Sequence, residues 1–245
     1  MPIPIRETFA TDRPDLTAQV TDDGSVTLVR AGTEDAFHSG CGARSESRHV
    51  YLQNSGVAAR LLNGRSTRVL EIGLGTSMAM LMTFDWAKRC NAALAYVAFE
   101  PDFIAASTMK YLKPHDWVDD PAVVESYVSY RRSLPQHPPP GTYCWRLDDH
   151  RQATIHVDDV LQAVWQRDQV FDAIYYDPFC PHSAPRLWTA EAFARMRTAI
   201  AADGCLSTYS CSRQVRDALS AAGWRPERVA GPIGGKREVL IARPV

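Results

Sequence analysis

One stretch, residues 68–81 (RVLEIGLGTSMAML), most constrains how this chain can fold. The apolar run at 69–72 is typical of a buried strand, and the residues after Thr76 are typical of a helix. Between them, Gly73 and Gly75 let the backbone turn sharply and approach a ligand closely, because no Cβ is in the way. The helix start then offers free N–H groups and a positive dipole end. Together these features predict a nucleotide-type site on an α/β sheet.

The identity of the nucleotide-type ligand is open at this point. Met78 occupies the third glycine position of G-x-G-x-x-G, so the dinucleotide fingerprint is incomplete. Glu71 extends the turn to E-x-G-x-G, a pattern similar to that of class I enzymes that use S-adenosyl-L-methionine (SAM). An ordinary strand-to-helix turn without a ligand is the alternative.

Alternation of strands and helices continues along the chain and sets the predicted fold class. Further strands are predicted at 94–100, 170–177 and 204–210, helices at 102–112, 189–201 and 212–223, and hairpins at 18–31, 142–157 and 225–244. A helix is also expected from about Ser45. We therefore predict a Rossmann-like α/β fold, and the resemblance of the E-x-G-x-G turn to class I enzymes implies the class I SAM-dependent methyltransferase type. Its mostly parallel sheet would carry a terminal antiparallel hairpin and an N-terminal hairpin extension.

We expect a single domain over residues 1–245. Residues 1–64 would form the N-terminal extension. Residues 113–150, which contain the proline-rich stop QHPPPG, would form a surface insertion.

Acidic residues lie at the ends of four predicted strands. They are Glu71, Glu100, the pair Asp158 and Asp159, and Asp177. Because ligands of such sheets bind beyond the carboxyl ends of the strands, these acids should line the site. They suit ribose hydroxyls, an adenine amine, an ammonium and a sulfonium, and they suit a pyrophosphate badly. This favours SAM over NAD, with Glu100 binding the ribose; a solvated strand-end residue is the alternative for Glu100.

The segment after Asp177 is the predicted substrate wall. Pro181 stiffens the loop, while Phe179 and Trp188 can offer flat apolar faces to a base or ring. For Trp188 alone, packing in the core is the favoured alternative. Cys180 and His182 lack a second pair with ligand spacing, so we predict no metal site.

Composition excludes some classes of protein. The formal net charge is −1, so nucleic-acid binding would need a local basic strip. Six cysteines without a C-x-x-C pair predict reduced thiols in a cytoplasmic protein. No leader and no segment able to span a membrane is expected. The strip could be formed by six residues: Arg44, Arg48, Arg213, Arg216, Lys236 and Arg237.

In order along the chain, these motifs resemble the methyltransferase half of the bifunctional tRNA 5-methylaminomethyl-2-thiouridine biosynthesis protein, the MnmC-like family. The matching segments are Phe37 with Ser39, E-S-R-H-V at 46–50, E-x-G-x-G-T at 71–76, Asp159, the run 177–189, and 234–238. The chain departs from the family pattern at Ser77, at Pro178, and at 232–235, where an arginine and an aromatic are lost. Most departures lie on the substrate side.

The resemblance implies a stand-alone SAM-dependent N-methyltransferase that methylates the aminomethyl group of a modified wobble uridine in tRNA. No FAD oxidase domain is expected in this chain. Implied cofactor-binding residues are Glu71, Gly73, Gly75, Thr76, Glu100, Asp158, Asp159 and Asp177. Implied substrate-binding residues are Glu46, Arg48, Phe179, Pro181, Trp188, Lys236 and Arg237.

Asp177 is the predicted catalytic residue. Its carboxylate would orient the amine and stabilise the positive charge that develops on nitrogen. Two other functions stay open: a class I methyltransferase acting on a small-molecule amine or other metabolite, and a non-catalytic SAM-binding module.

Overall fold

A computed structural model of the chain describes residues 5–33, 35–164 and 170–245. The strands are β1 Thr8–Ala10, β2 Leu16–Val20, β3 Val26–Arg30, β4 Thr67–Ile72, β5 Leu94–Phe99, β6 Gly141–Asp148, β7 Arg151–Val157, β8 Phe171–Tyr176, β9 Ile200–Thr208, β10 Trp224–Ala230 and β11 Glu238–Pro244. The α-helices are α1 Ala43–Glu46, α2 Val57–Leu62, α3 Met78–Arg89, α4 Ala106–Met109, α5 Pro121–Arg132, α6 Ala190–Arg197 and α7 Arg213–Ala221.

An eight-stranded mixed sheet, ordered β10-β11-β9-β8-β4-β5-β7-β6, organises the molecule. The five strands from β9 to β7 are parallel to one another. The edges are antiparallel, since β6 pairs with β7 on one side and the β10–β11 hairpin joins β9 on the other. The predicted α/β class I fold with a terminal antiparallel hairpin is confirmed.

Side chains of the sheet alternate between two hydrophobic clusters, because successive residues of a strand point to opposite faces. In β4, Val69 packs in a cluster with residues of α3 and α5, whereas Leu70 packs in a second cluster with residues of α6 and α7. The central strands are therefore buried on both faces. Their carboxyl ends are the part of the sheet that can form a site.

The N-terminal hairpin is present as β2 and β3, and β1 extends it to a separate three-stranded antiparallel sheet. Leu16, Ala18, Val26 and Leu28 are buried in the same cluster as α3. The N-terminal sheet thus shares a hydrophobic core with the helix that follows the glycine turn.

Three segments differ from their predictions in detail. The helix predicted at 102–112 is reduced to α4 and a 3₁₀ turn, because the carbonyls of Phe103 and Ile104 accept hydrogen bonds from buried Arg131 instead of a helix ladder. Residues 113–150 carry α5, whose Tyr127 is fully buried, as well as strand β6. The helix expected from Ser45 begins at Ala43 and continues as a π-helix over Ser47–Gln53.

Within the described residues, none of the helices combines the length and apolar character needed to cross a membrane.

Candidate functional site

The glycine turn after β4 packs against the residues that follow β8. Gly73 has φ +86°, a left-handed conformation, and a Cβ there would lie 2.4 Å from the backbone oxygen of Asp177. Gly75 has φ +52°, and a Cβ there would lie 3.2 Å from the Phe37 ring. The turn is therefore glycine-rich because backbone and ring atoms from two other segments lie directly against it.

Ser77 stands where the resembling family has its third glycine. It adopts φ +68° and ψ +16°, a conformation that costs a non-glycine residue of order 1–2 kcal/mol. Its hydroxyl forms a 2.7 Å hydrogen bond with Tyr127 Oη of α5, and both residues are buried. This contact offsets part of the strain and attaches the start of α3 to the 113–150 segment.

A cavity of about 610 Å³ opens beyond the carboxyl ends of the parallel strands, a volume in the range of small-molecule and cofactor sites. Several predicted site residues line it: Glu46, Gly73, Gly75, Glu100, Asp158, Asp159, Asp177, Phe179 and Lys236. The structure therefore brings together residues that are separated by up to 190 positions in the sequence.

Glu100 connects the end of β5 to the glycine turn. Its Oε2 accepts a 2.8 Å hydrogen bond from Gly75 N, and its Oε1 accepts one of 2.8 Å from Asp102 N. Burial raises the pKa of Glu100, and the two backbone donors oppose that rise. The carboxylate is thus fixed at the cavity wall, with lone pairs left over for ribose hydroxyls.

Replacing Glu100 by glutamine tests this placement. Loss of the charged acceptor is expected to weaken SAM binding by about 1.5–3 kcal/mol, roughly 10- to 150-fold, the range for hydrogen bonds to charged groups. Calorimetric titration with SAM measures the change. Glu125→Gln on the exposed face of α5 is the control and should bind SAM as the wild type does. Equal affinity in both variants would contradict the ribose assignment.

Glu71 and Thr76 lie beneath the turn. Glu71 shares the face of β4 that α3 covers, and its carboxylate accepts a 2.9 Å hydrogen bond from Tyr96 Oη. Burial raises the pKa of Glu71 well above its usual range. Thr76 is fully buried, and its Oγ1 lies 3.5 Å from His38 Nε2. These two side chains can support the cofactor turn from below.

Two further carboxylates, Glu46 and Asp177, line the cavity beside the glycine turn. Tyr51 Oη donates a short hydrogen bond to Asp177 Oδ1, and Ser39 N donates one of 2.6 Å to Glu46 Oε2. Burial raises the pKa of Asp177 well above its usual range; the Tyr51 hydrogen bond and the charge of Lys236 oppose the rise, and Glu46 adds to it. Burial likewise raises the pKa of Glu46. A cluster of this kind suits a positively charged group.

An aromatic wall faces these carboxylates. The Phe37 and Phe179 rings meet edge to face at 5.2 Å, and the Arg30 guanidinium lies 4.4 Å from the Phe179 centroid. Trp188 is buried behind the wall, and its Nε1 donates a 2.8 Å hydrogen bond to Phe179 O. Trp188 therefore positions Phe179 from the core.

The other predicted substrate residues lie outside the cavity lining. Arg48 and Arg237 are exposed, and Pro181 is partly exposed in the loop after Phe179. Of the two strand-end acids, Asp158 is exposed, while Asp159 caps a short 3₁₀ turn by accepting from Leu161 N at 2.9 Å.

Lining or supporting residues that were not identified from the sequence include Arg30, Asp35, His38, Tyr51 and Tyr209. Burial lowers the pKa of His38 to about 4, so its ring is neutral, and Nδ1 lies 2.9 Å from Thr27 Oγ1. The sequence offers one signal for Tyr51, which is an aromatic residue in a polar stretch, two positions after His49. Arg30 and His38 come from the N-terminal extension, whose approach to the site no local pattern encodes.

The charges of the cavity fit SAM. Within the described chain, six acidic side chains line it (Asp35, Glu46, Glu100, Asp158, Asp159 and Asp177), against two cationic ones (Arg30 and Lys236). This excess of carboxylates suits the ribose hydroxyls, ammonium and sulfonium of SAM, and it would repel a pyrophosphate.

A family model described as S-adenosyl-L-methionine-dependent methyltransferase matches residues 130–244. Curated relatives extend the match to most of the chain. The bifunctional protein MnmC of Azoarcus sp. strain BH72, named for tRNA 5-methylaminomethyl-2-thiouridine biosynthesis, is 29% identical over 227 residues, or 91% of this chain. The chain is a SAM-dependent methyltransferase that is similar to the MnmC proteins. The predicted cofactor and family resemblance are confirmed.

The MnmC-like chain covers only part of these relatives. It spans 34% of the length of the Azoarcus protein, and 32% of MnmC from Pseudomonas fluorescens strain Pf0-1, to which it is 28% identical. Among solved structures, MnmC2 from Aquifex aeolicus superposes with a TM-score of 0.73 at 20% identity, covering 95% of this chain and 71% of that one. That likeness shows a shared fold.

Proposed function

We propose that this MnmC-like enzyme transfers a methyl group from SAM to the aminomethyl nitrogen of a modified wobble uridine in tRNA. The observation that carries the proposal is the pair of carboxylates beside the glycine turn, where Glu46 is buried and Asp177 is partly buried. A site built for an amine explains this cluster, because a positive charge develops on nitrogen during the transfer. The curated relatives are named for the biosynthesis of a methylaminomethyl group in tRNA, which supports tRNA as the carrier of the amine.

The cofactor would lie across the strand ends. Gly73 and Gly75 permit close approach of the backbone, Glu100 would accept from the ribose hydroxyls, and Asp158 and Asp159 stand at the next strand end for the adenine side. Glu71 and Thr76 would support the turn from beneath. When bound, SAM supplies a methyl group activated by a sulfonium.

Asp177 is the proposed catalytic residue. In the proposed transfer the N–C bond would form as the C–S bond breaks. The electron pair of the C–S bond would stay on sulfur, and the positive charge would pass to nitrogen. The Asp177 carboxylate, oriented by Tyr51, stabilises this charge. Burial raises the pKa of Asp177, so its carboxylate accepts a proton from an incoming ammonium more readily than a solvated carboxylate does. Phe179 would offer its ring to the uracil base.

The tRNA would dock on the edge of the sheet where the cavity opens. Helix α7 begins after the carboxyl end of β9, and β11, antiparallel to β9, begins at the same edge. Arg213 and Arg237 are therefore on the cavity side, and both are exposed. Contacts from such side chains to phosphates would make binding depend on salt.

Mass spectrometry of tRNA nucleosides tests the proposal. In a strain that lacks this protein, the aminomethyl nucleoside should accumulate and its N-methyl product should disappear, and expression of the wild-type chain should restore the product. Expression of Asp177→Asn, which keeps the cofactor pocket, is the matched control and should not restore it. Unchanged tRNA nucleosides would contradict tRNA as the substrate and favour a small amine.

A further inference from the structure

Lys236 was predicted from the sequence to contact tRNA, but its side chain lies at the cavity. Its Nζ is 4.2 Å from the centroid of the Tyr209 ring, and both residues line the cavity together with Glu46 and Asp177. The Tyr209 ring is held in place because its Oη donates a 3.0 Å hydrogen bond to Pro178 O. The Lys236 ammonium thus makes a cation–π contact in the cavity that also contains the two carboxylates.

The turn between β10 and β11 presents this lysine. Gly231 N donates to Arg237 O at 2.9 Å, and Gly235 N donates to Pro232 O at 3.0 Å, which fixes the turn at both ends. Within the described chain, no carboxylate lies within 4.0 Å of Lys236 Nζ. The long, flexible side chain is therefore held by its ring contact and by longer-range attraction, and it can leave at small cost.

We propose that the Tyr209 ring, Glu46 and Asp177 form the binding subsite for the acceptor's primary amine, and that Lys236 is a resident cation which occupies this subsite until the acceptor displaces it. The inference rests on the proposed function for the class of acceptor. An alkylammonium and a lysine side chain have the same chemistry, so the contacts that hold Nζ are those an aminomethyl group would use.

The displaced lysine has a second consequence for the reaction. Its charge stays near the subsite and opposes a second positive charge there, which favours the neutral amine that attacks the methyl group. Lys236 is therefore a positioning residue. It acts on the amine by changing the electrostatic potential that Glu46 and Asp177 produce at the subsite.

Several titratable groups face Asp177 and share this field. They are Glu46 and Tyr51 from the α1 and π-helical stretch, Tyr209 after β9, Lys236 before β11, Glu71 in β4 and Glu100 after β5. Among them, Lys236 is the cation. Its charge lowers the pKa of both Glu46 and Asp177 against the effect of burial.

The pH dependence of apo-protein stability tests the resident-cation role without any acceptor. The folded pKa values of Glu46 and Asp177 lie above their unfolded values, so the folded protein binds protons more tightly, and stability falls as pH rises through the folded pKa values. Lys236→Met should steepen this fall, because it removes the charge that lowers both folded pKa values. Arg225→Met removes an exposed charge from the same hairpin and should not. Adding Glu46→Gln to Lys236→Met should remove part of the extra slope. Equal slopes in all variants would overturn the proposal.

Kinetics with the free nucleoside 5-aminomethyluridine test the displacement. Lys236→Met should lower KM, because a competitor for the subsite is gone. It should also lower kcat at neutral pH and move the acid limb of the kcat profile up by roughly one pH unit. Tyr209→Leu should raise KM about 3- to 30-fold, while Tyr209→Phe, which keeps the ring, should change KM less.

Two outcomes would contradict the proposals. If Lys236→Met impairs only the reaction of tRNA, Lys236 is a phosphate contact and the proposal is wrong. If the free nucleoside and tRNA both fail as acceptors for the wild type, the proposed function is wrong, and the apo stability slopes still decide the role of Lys236.

Discussion

Asp177→Asn is expected to lower the rate of methyl transfer about a hundredfold or more while leaving SAM affinity nearly unchanged. Asparagine keeps the size of the side chain and an oxygen that can accept the Tyr51 hydrogen bond. It removes the negative charge that faces the amine. A preorganised group of this kind contributes to the transition state more than to the ground state, and its loss typically costs a factor of 10²–10³ in kcat.

The fold should tolerate this change. Burial raises the pKa of Asp177, so holding its charge costs stability, and a neutral isostere relieves that cost. Thermal unfolding of Asp177→Asn should therefore begin no earlier than that of the wild type. Single-turnover transfer and calorimetric SAM binding separate the two effects.

Tyr51→Phe is the companion variant. It keeps the charge but removes the hydroxyl that orients it, so its rate should lie between those of Asp177→Asn and the wild type. A wild-type rate in Asp177→Asn would contradict the catalytic assignment, whatever Tyr51→Phe does.

Gly73→Ala is expected to cost about 2–5 kcal/mol of unfolding free energy. The backbone at φ +86° is unfavourable for alanine by of order 1–2 kcal/mol, and the new Cβ meets the Asp177 carbonyl at 2.4 Å, a rigid backbone contact whose relief costs a further ~1–3 kcal/mol. The backbone movement that relieves this contact would separate β4 from the residues that follow β8. SAM binding should therefore be lost as well. Chemical denaturation and calorimetry measure the two losses.

Gly64→Ala is the matched control. Gly64 also has a positive φ, +67°, but a Cβ there would meet nothing within 4 Å. Its substitution should cost only about 1–2 kcal/mol and leave SAM binding intact. Equal destabilisation by the two substitutions would show that the backbone conformation alone, and not the contact with Asp177, requires Gly73.

The class of the fold could be predicted because its signals are local. An apolar run, a glycine turn and a helical period lie together in residues 68–81, and β5, β8 and β9 repeat the alternation. The carboxyl ends of parallel strands meet at one edge by geometry, so the acids Glu100 and Asp177 could be placed at the cavity before any coordinates.

The remainder of the site depends on contacts that no periodicity encodes. Tyr51 reaches Asp177 because the helix after α1 widens to a π-helix, with Asn54 N donating to His49 O, and such a bulge has no reliable sequence signal. Lys236 faces the cavity because β11 runs antiparallel to β9, a register set by tertiary packing. Trp188 packs in the core, the alternative favoured for it from the sequence, and its Nε1 holds Phe179.

Transfer of radiolabelled methyl from SAM to purified tRNA measures the proposed reaction itself. The tRNA should carry an exposed aminomethyl group on its wobble uridine, and the same tRNA with an unmodified wobble uridine is the control. We expect one methyl per modified tRNA, located on the aminomethyl nitrogen by nucleoside mass spectrometry, and none on the control. Equal labelling of both tRNAs, or labelling of neither by an enzyme that binds SAM, would contradict the proposed function.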